Sequence, residues 1–304
     1  MIQHLIDGIL IGSVLSLGAA GLTMIMHILR FANFSHAELL SIGAYAALVF
    51  DQIFKAVEPF FSEQIGAFSI TWALFLAMFF SLVLTGASAV LFDFLVFRRI
   101  REKGDELSMV CASFGLALII RNLIGLSFGL STQLYSKDIV FATVFSRDPL
   151  IAFKLDHLAT LSITLLIMLA IHLVLSRTNF GYSLRAVGEN PELAQINGID
   201  LKRTIIMVWF LGGGLAAFAG VFYGLTNQIT PMIGSDLVLP VFAATIVGGI
   251  GSIYGALLGG FIVGVAANVA LIILPSGYSP SVPFLIIIVV LLIRPNGLFG
   301  ESRI

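Results

Sequence analysis

The chain is short of charge. Asp, Glu, Lys and Arg make up 11% of its 304 residues, against 59% hydrophobic residues, whereas water-soluble chains carry about 25% charged residues. The mean hydropathy is +1.06. A soluble fold of this length has too few polar side chains to cover that much apolar surface, so lipid is the expected solvent. A net charge of −1 provides no basic field for nucleic acid. One cysteine, Cys111, rules out an intrachain disulfide or a cysteine zinc site, and its apolar surroundings predict a small core hydrophobe. The five histidines, at 4, 27, 36, 157 and 172, lack metal-ligand spacing, and no Ser-His-Asp arrangement can be drawn. No G-x-x-x-x-G-K-[ST] phosphate loop is present, so ATP chemistry is not expected on this chain. The longest hydrophilic stretches, 131–156 and 177–203, are each too short for an independent catalytic core.

What is present is a succession of apolar runs. A hydrocarbon core about 30 Å thick asks for about 20 apolar residues per helix. Spans are predicted at 5–28, 35–54, 69–97, 107–130, 157–176 and 204–228, with further runs at 237–250, 252–274 and 281–293. The first reads as a retained span, because no Lys or Arg precedes it, Asp7 lies within it, and it is longer than the apolar part of a signal peptide. The run 237–250 is short for a crossing and reads as a broken or re-entrant helix, with Gly248-Gly249-Ile250-Gly251-Ser252 supplying the break. The expected fold is an all-α, polytopic transmembrane bundle of about eight or nine segments, a single membrane domain over 1–304.

Cations cluster in three places: Arg98, Arg99, Arg101 and Lys103; Arg177, Arg185, Lys202 and Arg203; and Arg294 with Arg303. The positive-inside rule puts all three in the cytoplasm, the C-terminus included. Loop 131–156 balances Lys137, Arg147 and Lys154 with Asp138, Asp148 and Asp156, which suits the outside. Nine crossings would put the N-terminus outside, and one re-entrant segment would reverse that. Small residues recur every fourth position at Gly8, Gly12 and Ser16, at Ala216, Gly220 and Gly224, and at Gly251, Gly255 and Gly259. Such stripes allow close helix packing, within the bundle or between subunits.

In the loop 177–203, Asn190 is a good N-cap, Pro191 suits the first helical position, and Glu192 complements the dipole. Gly198 can close the far end of a helix of about seven residues, with Leu193, Ala194 and Ile196 forming an apolar side. A helix that short persists only when packed. It is either a structural loop or a coupling helix that passes motion from a cytoplasmic motor. Polar groups at membrane depth are the other candidates. Asn33, Ser35, His36 and Glu38 open the second span, either as a capping box between Ser35 and Glu38 or as a lining of a pathway. Arg121 and Asn122 either interrupt the fourth span or end it early; Asn268 reads as a helix–helix hydrogen-bond donor, and Asp7 and Asp236 as interfacial.

Four stretches together resemble one family. They are Asn33-Phe-Ser-His-Ala-Glu38, the loop from Arg185 to Ile199, Val247-Gly-Gly-Ile-Gly-Ser-Ile-Tyr-Gly-Ala-Leu-Leu-Gly-Gly260, and Arg294-Pro-Asn-Gly-Leu-Phe-Gly300. In order and spacing the chain resembles the permease subunits of ABC importers for branched-chain amino acids. Ser35, Ala37 and Asn296 depart from the family's usual Ala, Gly and Gln. The resemblance implies a bacterial inner-membrane permease working with a second, homologous permease, two cytoplasmic subunits holding ATP and Mg, and an extracytoplasmic substrate-binding protein. It assigns the segment Glu189–Ile199, with Glu189, Asn190, Pro191, Glu192, Ala194, Gly198 and Ile199, to docking on the ATPase, Arg185 leading into it. Relatives that carry urea or short amides would look similar. A secondary carrier driven by H⁺ or Na⁺ is the competing class, with His36, Glu38 and Arg121 as its relay.

Overall fold

The computed structural model describes residues 1–66, 68–136, 143–147, 150–153 and 155–300. Twelve α-helices are found among them. The nine predicted segments correspond to α1 (Ile2–Leu29), α2 (Ser35–Val57), α3 (Trp72–Phe92), α5 (Glu106–Phe128), α6 (Leu155–Arg177), α9 (Leu201–Thr226), α10 (Ile233–Gly248), α11 (Ile253–Ala270) and α12 (Val282–Ile293). The other three are α4 (Arg98–Lys103), α7 (Asn179–Glu189) and α8 (Pro191–Ile196). Seven continuous helices are long and apolar enough to cross a membrane, and two shorter apolar helices, at Ile233–Gly248 and Gly277–Ile293, accompany them. One hairpin was not anticipated: β1 (Thr143–Arg147) pairs antiparallel with β2 (Leu150–Phe153) inside the loop 131–156. Lys137, Asp138, Asp148, Lys154 and Arg303 lie outside the described residues.

Helix α1 is the hub. It is apolar on every face, and 89% of its most apolar stretch is buried, against 28% for α5 and 17% for α6. A helix without a polar face must be surrounded, and α1 packs on α6, α9, α10 and α11. The small-residue stripes make that packing close. Gly8, Gly12 and Ser16 meet Gly260, Phe261 and Gly264 of α11, and Ser16 Oγ donates to Leu257 O at 2.6 Å. Gly220 of α9 lies so near the Leu40 carbonyl of α2 that a methyl group could not be added without displacing backbone. Gly255 and Gly259 of α11 face Gly248 and Ala244 of α10, while Gly251 lies in the turn before α11 against His27.

Among the described residues, the basic loops gather at one end of the bundle. Arg98, Arg101 and Lys202 line a common groove there, and Arg30 with Glu106, Pro295 and Asn296 lines another. At the opposite end Gln133 pairs with Ile229, and Asp156 accepts from Ser69 N and Ser69 Oγ, each at 2.6 Å.

Helix α3 does not stop at Phe92. Asp93–Phe97 form a π turn that runs directly into α4. Such a turn holds one extra residue and re-aims the helix beyond it. Here it brings Arg101 to Asp93 at 2.7 Å, and the Trp209 indole N–H lies near the same carboxylate without reaching hydrogen-bond geometry. Phe97 stacks on Trp209 with centroids 5.1 Å apart and touches Phe31 at 5.3 Å.

Two expectations are corrected. Cys111 is exposed on α5 instead of forming part of the core, because α5 is peripheral. Asn268 is buried but donates to Gly264 O of its own helix at 3.0 Å, because the carbonyl four residues back is within its reach and satisfies the donor locally. Substituting Gly220 by Leu should destabilise the bundle by about 1–3 kcal/mol through overpacking. Gly115→Ala, with no atom within 4 Å of the new methyl, should be neutral or gain up to about 1 kcal/mol. Thermal melts of the two variants in mild detergent that coincide would contradict the packing described.

Candidate functional site

The first candidate is the break before α2. Helix α1 ends at Leu29, Arg30 takes the left-handed conformation (φ 55°), and the chain turns back into the bundle. His36 reaches Gly18 O with Nε2 at 3.1 Å. Gly18 lies three turns inside the end of α1, about 16 Å at about 1.5 Å per residue. Helix α2 therefore starts in the interior and not at a surface. The backbone amides of a buried helix start must find partners. Asn33 Oδ1 supplies one, accepting from Ser35 N at 3.1 Å and Ser35 Oγ at 2.7 Å.

The capping box expected between Ser35 and Glu38 is not made. The residue flanking the helix is Phe34 in helical conformation, so Ser35 is already inside α2 and Asn33 caps in its place. Glu38, 3% exposed, serves another helix instead. Its Oε2 accepts from Ser41 Oγ at 3.3 Å, and Ser41 Oγ accepts from Gly234 N at 2.8 Å. Gly234 is in the first turn of α10, so the carboxylate reaches that helix's positive end through one hydroxyl. The first turns of α2 and α10 thus lie side by side within the bundle, and Phe34 stacks on Phe242 at 5.0 Å.

Arg121 and Asn122 do not end the fourth span, because α5 continues to Phe128. Arg121 is half-buried and within Coulombic reach of Glu38, as is Asp236 in the first turn of α10. Asn122 is exposed and donates to Leu118 O at 2.7 Å, so it serves its own helix. Asn33, Ser35, His36 and Glu38 are brought together, with Arg121 near them; Asn122 and Asn268 are not. Two buried polar groups of the break, Asn33 Nδ2 and His36 Nδ1, have no hydrogen-bond partner among the described residues.

The second candidate is the elbow at the basic end. Helix α8 forms where Asn190 and Pro191 predict it, with Asn190 Oδ1 accepting from Leu193 N at 3.0 Å. Gly198, at φ 83°, closes it, and Ile199 N donates to Ala194 O at 3.0 Å. The apolar side is divided. Ala194 is 4% exposed and faces the protein, whereas Leu193 and Ile196 are 56% and 82% exposed. Glu192 is exposed in the first turn. Beside α8 lies a groove of about 880 Å³ between α4 and the start of α9, lined among others by Arg98, Arg101, Gln195, Ile199 and Lys202. Nearby, at the start of α5, Asp105 accepts from Ser108 N and Oγ, which holds its carboxyl below the usual carboxylate range.

Helix α7, in a stretch polar enough to read as loop, fixes the elbow to the bundle. Thr178 caps its start, and Arg185 donates back to Leu175 O at 2.9 Å while its guanidinium lies 5.0 Å from the Tyr182 ring. Its far end is held by Arg30, whose Nη2 donates to Gly188 O at 3.1 Å and Glu189 O at 3.2 Å. A cation on the final carbonyls also complements the negative end of α7. His27 packs against Gly188. Arg30 and His27 were missed. The only available signal was a lone cation directly after the first span.

The sequence of residues 4–291 matches a family model described as "Branched-chain amino acid transport system / permease component". The chain is 28% identical over 316 residues to the high-affinity branched-chain amino acid transport system permease protein LivH of Escherichia coli, covering all of this chain and 96% of that one. It is also 28% identical over 306 residues to the high-affinity branched-chain amino acid transport system permease protein BraD of Pseudomonas aeruginosa, covering all of this chain and 97% of the other.

Ser41→Ala should strand the Gly234 amide inside the bundle, at a cost of about 1–3 kcal/mol, read as a lower melting temperature; an unchanged melt would show that water replaces the hydroxyl. Arg30→Ala should speed amide exchange across 187–199 on the order of tenfold, equivalent to about 1.4 kcal/mol. Unaltered exchange there would mean that α7 is held by packing alone.

Proposed function

The chain belongs to the family of branched-chain amino acid transport system permease components, and on that premise we propose that it is the membrane-spanning subunit of an ATP-driven importer for branched-chain or related hydrophobic amino acids. The observation that carries the reading is the elbow. A six-residue helix exposes Leu193 and Ile196 beside a groove of mixed charge, and its preceding helix is bonded through Arg30 to the hub helix. A short helix with exposed apolar residues suits a partner surface, and the bond to α1 gives that partner a grip on the bundle.

The basic end then faces the cytoplasm under the positive-inside rule, with the C-terminus there and nine segments leaving the N-terminus outside. Two ATP-binding subunits would dock at the elbow and hold ATP with Mg, since the sequence carries no phosphate loop. A second, homologous permease would complete the pathway, and an extracytoplasmic binding protein would deliver substrate in the bacterial inner membrane. The break at Asn33–Glu38, with Arg121 close by, is the region of this chain we assign to the path. Half-helices whose N-termini meet near the bilayer midplane are a recurrent device for handling charged solutes.

Vesicles holding the assembled complex should take up leucine, isoleucine or valine only when ATP is supplied to the ATPase side. Uptake of urea or acetamide in place of these would reassign the substrate, and accumulation by the single chain from an ion gradient would end the ABC reading. Glu192→Lys should leave insertion intact but weaken ATPase association by several-fold, because it reverses charge at a helix N-terminus. Full association and full transport in that variant would remove the elbow's assignment.

A further inference from the structure

Helix α6 stands away from the bundle along part of its length. Two grooves adjoin there, one of about 230 Å³ and one of about 380 Å³, sharing Val174, Phe180 and Leu211. Every lining residue is apolar, including Phe218 at the deep end and Ile206 at the shallow end. From Ile206 to Phe218 is about 18 Å along α9 at about 1.5 Å per residue, close to one leaflet of a hydrocarbon core about 30 Å thick. Nothing in the lining would hold water. A helix, about 10–12 Å across with its side chains, would occupy over that length more than twice the volume of the two grooves together, whereas a single alkyl chain would not.

The shallow end opens at the basic end of the bundle. Arg177 lies one turn beyond Val174, and Lys202 one turn before Ile206. Both are exposed, and among the described residues neither has a hydrogen bond or ion pair. The neighbouring Arg203 is already engaged by Asp200 at 3.2 Å. Two free cations therefore stand one helical turn past the lined end of an apolar slot about one leaflet deep, Lys202 on the rim that the slot shares, through Ile206, with the groove beside α4.

We propose that this slot holds one anionic phospholipid, its phosphate between Arg177 and Lys202 and one acyl chain lying along Val174, Phe180, Leu211 and Phe218. The charge at the mouth selects an anionic headgroup over a zwitterionic one, and the dry lining selects a chain over a soluble phosphate. The lipid fills the space between α6 and α9 and so contributes to how firmly the elbow, which begins directly after α6, is held.

The test is native mass spectrometry of the full-length chain in mild detergent, titrated with dioleoyl phosphatidylglycerol or dioleoyl phosphatidylcholine. The wild type should retain phosphatidylglycerol at least fivefold better. The paired substitution Arg177→Gln with Lys202→Gln, on exposed positions that do not affect folding, should bring the two lipids within twofold. Ala170→Trp, which fills the slot from its exposed side, should cut retention of phosphatidylglycerol at least fivefold. Excess inorganic phosphate should displace none. A preference that survives the paired substitution, retention that survives Ala170→Trp in a folded protein, or displacement by phosphate would each overturn the proposal.

Discussion

Hydrocarbon offers no hydrogen bonds, so a helix that begins inside a membrane bundle must have its free amides satisfied by protein. This chain begins two helices, α2 and α10, in its interior and packs their first turns together. Both starts carry a partial positive charge. Glu38 answers α10 through Ser41, and Asn33 answers α2 directly. Much else depends on that arrangement. Gly234 is the residue that fits against Glu38, Gly220 lets α9 close over Leu40, and the αL turn at Arg30 sends the chain back inward. The same turn leaves the Arg30 side chain beside α7. The interior break and the elbow are thus two outcomes of one reversal of the chain.

Packing divides the molecule into a rigid centre and a looser margin. Helix α1 meets α9 on one side and α11 on another through Gly, Ala and Ser at close quarters. Interior contact without bulky side chains leaves little room for small adjustments. Helices α5 and α6 contact the rest through fewer buried positions and present Leu, Ile and Phe outward. Lipid or a neighbouring subunit is the natural cover for those faces.

The fold was legible because apolar run length is a direct readout of bilayer thickness. All nine segments were found within a few residues, and the elbow's α8 was legible because Asn190, Pro191 and Gly198 are local signals that need no tertiary partner. The interior break was misread for a related reason. Ser35 and Glu38 have the spacing of a capping box, but Asn33 stands two residues upstream and its carboxamide reaches Ser35 first. Glu38 was then free to serve α10, nearly two hundred residues further along the chain. Helix α7 was missed because residues 177–203 read as one hydrophilic loop, although Gly181, Leu184, Val187 and Gly188 recur at helical spacing and are buried; Arg30, from the other end of the sequence, holds its last carbonyls. Arg121 and Asn122 were grouped as neighbours in sequence, yet adjacent residues on a helix point about 100° apart, and only Arg121 faces Glu38.

The π turn at Asp93–Phe97 has a consequence for how the chain can change over time. The extra residue keeps the helix beyond it in phase: Arg101, eight residues after Asp93, stands where the seventh residue stands in a regular helix, about two turns on. Regular winding with that residue kept would carry Arg101 about 100° around the axis and leave a carboxylate at 7% exposure without its counter-charge. The inserted residue and the wide turn are therefore inherited as a unit: a lineage can shed both, but the loss of the turn by itself strands a charge beneath Trp209.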